Sequence, residues 1–518
     1  MKRQRLAIID IGSNSIRLVI NTINEHGHYQ ELYNFKTVAR LSNHLDAQGN
    51  LTKEGTSILL TTLQKFRTLT EDHHCDRAIV VATAAMRKAN NRKELLKLAE
   101  QETGFSIKLL SEYEEAYFGY LAIVNSTSIQ DGITIDIGGG STEITRFSNR
   151  KLLHYHSFPF GAITLYRDFF HSTDPSEEEL ASLQKFLESA FATLPWLQDA
   201  KDLPVIGIGG TARNLSLIHQ RQTDYPLAGL HQYSFPAEEL HSVTQMLQRL
   251  TSSEREGLDG LSKDRVDVII PGTQAISSLV KTVGSSQFIM SRKGLRDGLF
   301  YSEILEQLNL ECFPNVVEES FYQLYHQYEI NLEHVKQVAK LATKLYEQLA
   351  PFYNGKLEHQ QNLTLIHRAA RVLYLGEHIN PEASSQHTFY LLTNMSIDGL
   401  NHEERLALAC VSSFKSKAQL LHMASPFMPL ISKKQLKRFE FLGAILKLAY
   451  CLNRTRRHVI GKIGTIEAKR DAIVLPLYYH YDLDPSFEQD YALKHVKHVE
   501  KVIKKTIELP FLPLSNFT

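Results

Sequence analysis

Cysteine is scarce in this chain: four in 518 residues (Cys75, Cys312, Cys410, Cys451), with no CxxC spacing among them. That pattern argues against a disulfide framework or a thiolate zinc site and fits a reducing compartment. Net charge is missing too, because 57 Lys and Arg face 57 Asp and Glu. Bulk charge therefore points to neither a nucleic acid nor a membrane surface. No apolar run approaches the ~18 residues that a membrane span needs. The basic opening Met1-Lys-Arg-Gln-Arg5 is followed by only Leu6–Ile9 before Asp10 interrupts, too short a run for a secretory leader. Low-complexity segments and linkers are absent, so domain joints must be read from changes of pattern. These absences predict a soluble cytoplasmic protein with no nucleic-acid or membrane partner.

What is present is ordinary globular composition, 43% hydrophobic and 22% charged, in a chain long enough for about three or four domains. Strand-like runs are predicted over 5–11, 15–24, 28–40, 77–83 and 105–110. Helices are predicted near 53–70, 91–103 and 112–125. The style repeats over 130–305, with strands at 133–137, 142–147, 151–159 and 204–208. A helix follows the cap at Asp174 or Ser176, where three glutamates suit the positive helix end. Strands alternating with helices predict an α/β fold. From about 310 the pattern turns helical, with extended stretches at 462–466 and 472–481 and a last helix near 487–507. The domains expected are 1–127, 128–308, 309–415 and 416–518. The last region is basic: from Lys415 on, 18 Lys and Arg outnumber 9 Asp and Glu. It is a candidate polyanion surface, through Lys433, Lys434, Lys437, Arg438, Arg454, Arg456 and Arg457.

One tetrapeptide, Ile-Asp-Ile-Gly, occurs twice, each time as an apolar strand, a Gly/Ser-rich turn and a second strand. The first copy runs Leu6-Ala-Ile-Ile-Asp10-Ile-Gly12-Ser13-Asn14-Ser15-Ile-Arg17; the second runs Gly132-Ile-Thr-Ile-Asp136-Ile-Gly138-Gly139-Gly140-Ser141-Thr142-Glu143. Such turns offer successive N–H groups and hydroxyls to an anion, and glycine lets a phosphate approach the backbone. A third turn, Gly209-Gly210-Thr211, follows another apolar strand. Phosphoryl chemistry is the leading expectation. Aligning Asp10 with Asp136 sets Arg17 against Glu143, a cation in one half and a carboxylate in the other. Asp136 and Glu143 suit Mg²⁺, which takes one or two carboxylates plus water and phosphate oxygens; Asp10 could hold a metal-bound water. Arg17 suits a phosphate directly, and Arg87, after the strand ending at 83, could reach one. Ser111-Glu-Tyr-Glu-Glu115-Ala opens a helix, where a carboxylate is favoured as the ion, so a base here is expected to act through placement more than a raised pKa.

The set IDIGSNSIRL, TAAMR, SEYEEA, IDIGGGSTE, GIGGTARN and SRKGLRDG (291–298) resembles the exopolyphosphatase/guanosine pentaphosphate phosphatase family of the actin/Hsp70/sugar-kinase superfamily. The resemblance is strong over about 5–305 and weaker to about 415. It implies two actin-like, ribonuclease H-like domains with the active site between them. It implies Glu115 as catalytic base, Asp136 and Glu143 on Mg²⁺, and the first hairpin with Arg17 and Arg87 on phosphates. It also implies a cytoplasmic homodimer, with K⁺ as a candidate activator. The helical region resembles the family's HD-like domain, but Tyr374-Leu375 stands where a His-acid pair would bind metal, so a degenerate metal site is expected there. The expected activity is that of a phosphoric anhydride hydrolase acting on inorganic polyphosphate. The alternatives are removal of the 5′ γ-phosphate of guanosine pentaphosphate, or a non-catalytic actin-like switch that binds polyphosphate, pppGpp or ppGpp.

Overall fold

A computed structural model describes residues 3–356, 358–470 and 472–514. The chain forms two compact units: one runs to Tyr225 and resumes over Leu230–Glu319, the other holds Pro226–Gly229 and the chain from Ser320 on.

In the first unit the elements follow in the order β1 (Arg3–Ile11), β2 (Ser15–Asn24), β3 (Tyr29–Val38), α1 (Lys53–Asp72), β4 (Arg77–Ala82), α2 (Ala84–Lys88), α3 (Arg92–Thr103), β5 (Ile107–Leu109) and α4 (Glu112–Val124). They continue as β6 (Gly132–Ile137), β7 (Thr142–Ser148), β8 (Lys151–Phe158), α5 (Ala162–Phe169), α6 (Glu177–Ala192), α7 (Pro195–Gln198), β9 (Val205–Ile208), α8 (Gly209–Gln222), β10 (Tyr233–Pro236), α9 (Ala237–Arg249), α10 (Ser252–Glu256), α11 (Ile269–Val283), β11 (Gln287–Met290) and α12 (Leu295–Leu308).

The first sheet runs β3-β2-β1-β4-β5 and the second β10-β11-β9-β6-β7-β8. In each, an antiparallel three-strand meander joins parallel strands: β1 lies antiparallel to β2 and parallel to β4, and β6 antiparallel to β7 and parallel to β9. The sequence duplication is therefore a duplication of topology. Strands β1 and β6 are near-continuous apolar runs because both of their faces are covered. One core fills the space between the first sheet and α1 and α3, and a second lies under α6, α9 and α11. A third core joins the halves, with Ile8 and Val81 from the first sheet, Phe147 and Ile206 from the second, Tyr120 and Leu121 of α4, and Phe300 and Ile304 of α12.

Helix α13 (Val316–Gln327) starts in the first unit and ends in the second, whose further helices are α14 (Leu332–Leu349), α15 (His359–Arg371), α16 (Ser384–Asn394), α17 (His402–Ser412), α18 (Lys417–Ala424) and α19 (Lys433–Cys451). Two small three-stranded sheets follow, built from β12 (Ile460–Ile463), β13 (Glu467–Ala468), β14 (Ala472–Val474), β15 (Leu477–Tyr479), β16 (Thr506–Glu508) and β17 (Phe511–Pro513), with α20 (Ser486–His495) and α21 (Lys497–Ile503) between them. Two expectations change here. The extended run 472–481 is two strands in different sheets, broken at Leu475-Pro476. The helix expected over 487–507 is two helices and a strand, because Lys504 turns left-handed at φ 57° and ends α21. Tyr374 donates its hydroxyl to Phe414 O at 2.9 Å.

Candidate active site

The two hairpin turns close alike: Gly12 N–H donates to Ser15 O at 3.1 Å, and Gly138 N–H to Ser141 O at 3.0 Å. Strand register puts Asp10 opposite Arg17 and Asp136 opposite Glu143. The turns meet: a Cβ on Gly139 would stand 3.1 Å from Ser13 Cβ, and one on Gly140 3.3 Å from Ser13 Oγ. The carbonyls of the second turn are already taken. Ala162 and Ile163 N–H, at the start of α5, donate to Gly138 O and Gly139 O, and Lys88 Nζ donates to Gly140 O at 2.7 Å. With the oxygens engaged inward, the turn offers its N–H groups to an anion. A cleft of about 590 Å³ opens at these turns, with Ser13, Asn14, Arg40, Lys88, Gly140 and Arg167 in its walls. Thr142 departs from expectation, since its hydroxyl is buried and donates to Phe160 O at 2.7 Å. That hydroxyl serves the fold rather than a ligand.

The start of α4 divides labour between adjacent glutamates. Glu114 completes a capping box with Ser111 and pairs with Lys108 at 2.6 Å, which holds its carboxyl below the usual range. Relieved of capping, Glu115 accepts from Arg87 Nη1 at 2.9 Å, and Arg87 also donates to Leu110 O. Burial pushes the Glu115 carboxyl up to about 7, against the pull of Arg87 and with the push of Asp136 and Asp10. This overturns the expectation of an ordinary ionised carboxylate at a helix start, because loss of water outweighs the helix dipole and the single cation. Burial also raises Asp136, to about 6, with Asp10 adding to the rise and Arg265 and Arg296 opposing it. Glu143 rises well above its ordinary value through burial and the nearness of Glu115 and Asp136; Ser157 donates to it at 2.9 Å. Asp10 is raised by burial, with Arg296 and Arg17 opposing.

Among the described residues no cluster of three or more His, Cys, Asp or Glu is arranged as a metal cage. The pair Asp136 and Glu143, set opposite each other on neighbouring strands with both carboxyls raised by burial, instead fits a cation that completes its shell with water and phosphate oxygens. The donor set suits Mg²⁺.

The third Gly-rich turn is in fact the first turn of α8. Gly209 adopts φ 84°, and a Cβ there would stand 2.6 Å from Asp136 Oδ1, so only glycine lets α8 start this close to the carboxylate. The guanidinium of Arg265 lies where a Cβ on Gly210 would stand, and its Nη1 reaches Thr211 Oγ1 at 3.4 Å. Gly210 and Thr211 therefore seat an arginine, and the group facing an anion here is the guanidinium. Arg296 Nη1 is 3.9 Å from Asp10 Oδ2. Sequence reasoning missed Lys88, Ser157, Arg213, Arg265 and Arg296. Arg213 and Arg296 lie inside GIGGTARN and SRKGLRDG and were findable there; Lys88, Ser157 and Arg265 carried no motif signal.

The basic residues expected to form one groove in the second unit are not brought together. Lys433, Lys434, Lys437 and Arg438 lie in the first turns of α19, whereas Arg454, Arg456 and Arg457 follow its end. A 19-residue helix spans about 27 Å, so two separate clusters result. Arg457 is paired with Glu488 at 3.1 Å, and Arg454 lies over the rings of Tyr450 and Tyr491.

The Ppx/GppA phosphatase family model matches residues 19–307, and that for Ppx/GppA phosphatase, domain III, matches residues 316–495. The chain belongs to the Ppx/GppA phosphatase family. Exopolyphosphatase 2 of Mycobacterium tuberculosis is 28% identical over 320 residues, covering 58% of this chain and 99% of the relative. Exopolyphosphatase 1 of the same organism is 25% identical over 319 residues, 61% and 92% of the two chains. The solved Ppx/GppA family member of Aquifex aeolicus is 26% identical with a TM-score of 0.52, over 59% of this chain and 99% of its own. An exopolyphosphatase structure from Cytophaga hutchinsonii, 22% identical, shares the fold at a TM-score of 0.55 over 58% and 98%. The duplicated topology of the first unit is thus that of the two actin-like domains of Ppx/GppA proteins.

Proposed function

We propose that this Ppx/GppA phosphatase is an exopolyphosphatase that hydrolyses the terminal anhydride of inorganic polyphosphate. The observation that carries the reading is Glu115, half-buried and paired with Arg87, close to Asp136 and Glu143 and to two abutting anion-gripping turns. The names of the mycobacterial relatives favour the same substrate. The N–H groups of Gly139–Ser141 and the first turn hold the terminal phosphoryl group. Glu115 takes a proton from a water as its oxygen bonds to phosphorus; the anhydride P–O bond breaks and its electron pair stays with the departing chain. Asp136 and Glu143 would hold Mg²⁺, which supplies charge neutralisation to the phosphoryl oxygens when bound. Arg87 keeps Glu115 in place and lowers its proton affinity into a useful range.

The test is orthophosphate release with Mg²⁺ from long-chain polyphosphate and from guanosine pentaphosphate, by the native protein and Glu115→Ala. Release from polyphosphate is expected to be preferred and to fall by about 10²–10⁴-fold in the variant. Preference for the nucleotide would transfer the site to guanosine pentaphosphate; release from neither would leave a binding protein.

A further inference from the structure

The peptide groups of the turn Gly138–Ser141 are not all held from the same side. In a trans peptide the N–H points opposite to the C=O, so whatever fixes the oxygen also aims the amide. Ala162 N–H holds Gly138 O at 2.9 Å, and Ile163 N–H holds Gly139 O at 3.0 Å. These bonds aim the N–H groups of Gly139 and Gly140, and both come from α5, in the same half of the first unit as the turn. The next peptide is different. Gly140 O is held by Lys88 Nζ at 2.7 Å, and the same ammonium donates to Pro159 O at 3.0 Å. Lys88 ends α2, which follows β4 of the first sheet. Ser141 N–H is therefore aimed from across the cleft.

The hydrogen-bond partners of the Lys88 ammonium among the described residues are these two carbonyls. Burial, then Arg87 and Arg167, lower its proton affinity, while Glu112 and Glu143 pull the other way. An ammonium partly out of water is unfavourable unless oxygens replace its hydration shell. The two carbonyls do so only while the halves stay together. Two other contacts cross between the halves, Lys36 to Asp264 at 2.7 Å and Arg40 to Asp267 at 3.2 Å, and both end on side chains. Lys88 ends on the backbone of the anion-gripping turn. Its neighbour Arg87 holds Glu115 at 2.9 Å. The five-residue helix α2 thus fixes the base in its own half and one amide of the turn in the other.

We infer that Lys88 is a positioning residue that couples closure of the cleft to the phosphate grip, because Ser141 N–H is aimed only when the two halves stand together. The inference rests on the hydrolase reading and deepens it. An open cleft admits and releases phosphate past two fixed amides, and the closed cleft grips it with three beside Glu115.

Orthophosphate binds without turning over, so calorimetry reads the grip apart from the reaction. Lys88→Met keeps the chain length and removes the donors; it should weaken orthophosphate about tenfold. Lys88→Arg, which restores donors to the carbonyls, should regain most of that loss. Lys36→Met separates coupling from direct contact or general loosening, since Lys36 stands on β3, outside the residues of the cleft wall. Alone it should weaken orthophosphate by about twofold. Added to Lys88→Met it should weaken binding no further, because the link through which it acts is gone. Cooperative thermal unfolding checks each fold, and Lys88→Gln takes the place of Lys88→Met if the latter does not melt cooperatively. Additive losses, an unaffected Lys88→Met, or a Lys36→Met that leaves affinity unchanged would overturn the coupling. A native protein that releases no orthophosphate from polyphosphate would overturn the hydrolase reading instead, and the binding cycle would still decide the role of Lys88.

Discussion

At the scale of single residues the site is a set of carboxyls held out of water. Glu143 is the extreme case, buried, with a hydroxyl donor on it and the acids Glu115 and Asp136 near it. Its folded pKa lies above the ordinary 4.5, so its contribution to stability is fully present below that value and is lost as pH rises through the folded value. At pH 8 without divalent ions the ionised group is therefore a burden. Glu143→Gln should stabilise the protein there, in the range of ~0.5–2 kcal/mol seen when functional strain is removed, and should change little at pH 4. Mg²⁺ should raise the melting temperature of the native protein and not that of the variant. Thermal scans at the two pH values check both. Glu115 gives a second expectation. Its carboxyl titrates near 7 and must be ionised to accept a proton, so kcat/KM should rise through pH 7. Arg87→Gln removes the cation that opposes burial and should move that limb to higher pH. A limb that stays put would separate the rate from Glu115.

At the scale of elements, the turn Gly138–Ser141 is pinned by the start of α5. A Cβ on Gly161 would stand 2.6 to 2.7 Å from backbone atoms of Gly138, Gly139 and Gly140. Backbone cannot swing aside as a side chain can, so Gly161→Ala should displace the turn, costing ~1–3 kcal/mol in denaturant melts and lowering activity more than the Tm loss explains. The hairpins themselves were readable in the sequence because covered strands are unbroken apolar runs and their turns are Gly/Ser-rich. Helices at 53–70, 91–103 and 112–125 were readable from caps and periodicity, and the structure places them within about two residues. Asn91 stands at the N-cap of α3, but its side chain bonds Leu51 N–H and O rather than the helix start. Gly209–Thr211 looked like a turn because a helix that begins at glycine directly after a strand has the composition of one. Arg265 could not be foreseen, since its place on Gly210 is set by tertiary packing from a segment about fifty residues further on. The Glu115 proton affinity was misjudged for the same reason: helix position is local, burial is not.

At the scale of the whole molecule, the cleft of the first unit is strapped by pairs between distant segments. Lys36 binds Asp264 at 2.7 Å and Arg40 binds Asp267 at 3.2 Å, with Arg265 carried between the two acids. Pairs this exposed are worth ~0–1 kcal/mol each, so Asp267→Asn should barely shift a denaturant midpoint, and any larger effect should appear in substrate affinity. In the second unit, the two basic clusters at the ends of α19 are too far apart to share a ligand contact. If both bind long polyphosphate, loss of Lys433 and Lys434 and loss of Arg454 and Arg456 should add within ~0.3–0.5 kcal/mol in long-chain affinity. Marked non-additivity would restore a single groove.

The central claim is that water, activated at Glu115, attacks the terminal phosphorus. Its most direct measurement is hydrolysis of long-chain polyphosphate in ¹⁸O-water, following both the isotope in the released orthophosphate and the length of the remaining chains. The account predicts a single solvent oxygen in each orthophosphate, chains that shorten from their ends, and near-loss of both signals in Glu115→Gln. Mid-length fragments without orthophosphate, or isotope uptake that survives the substitution, would contradict it.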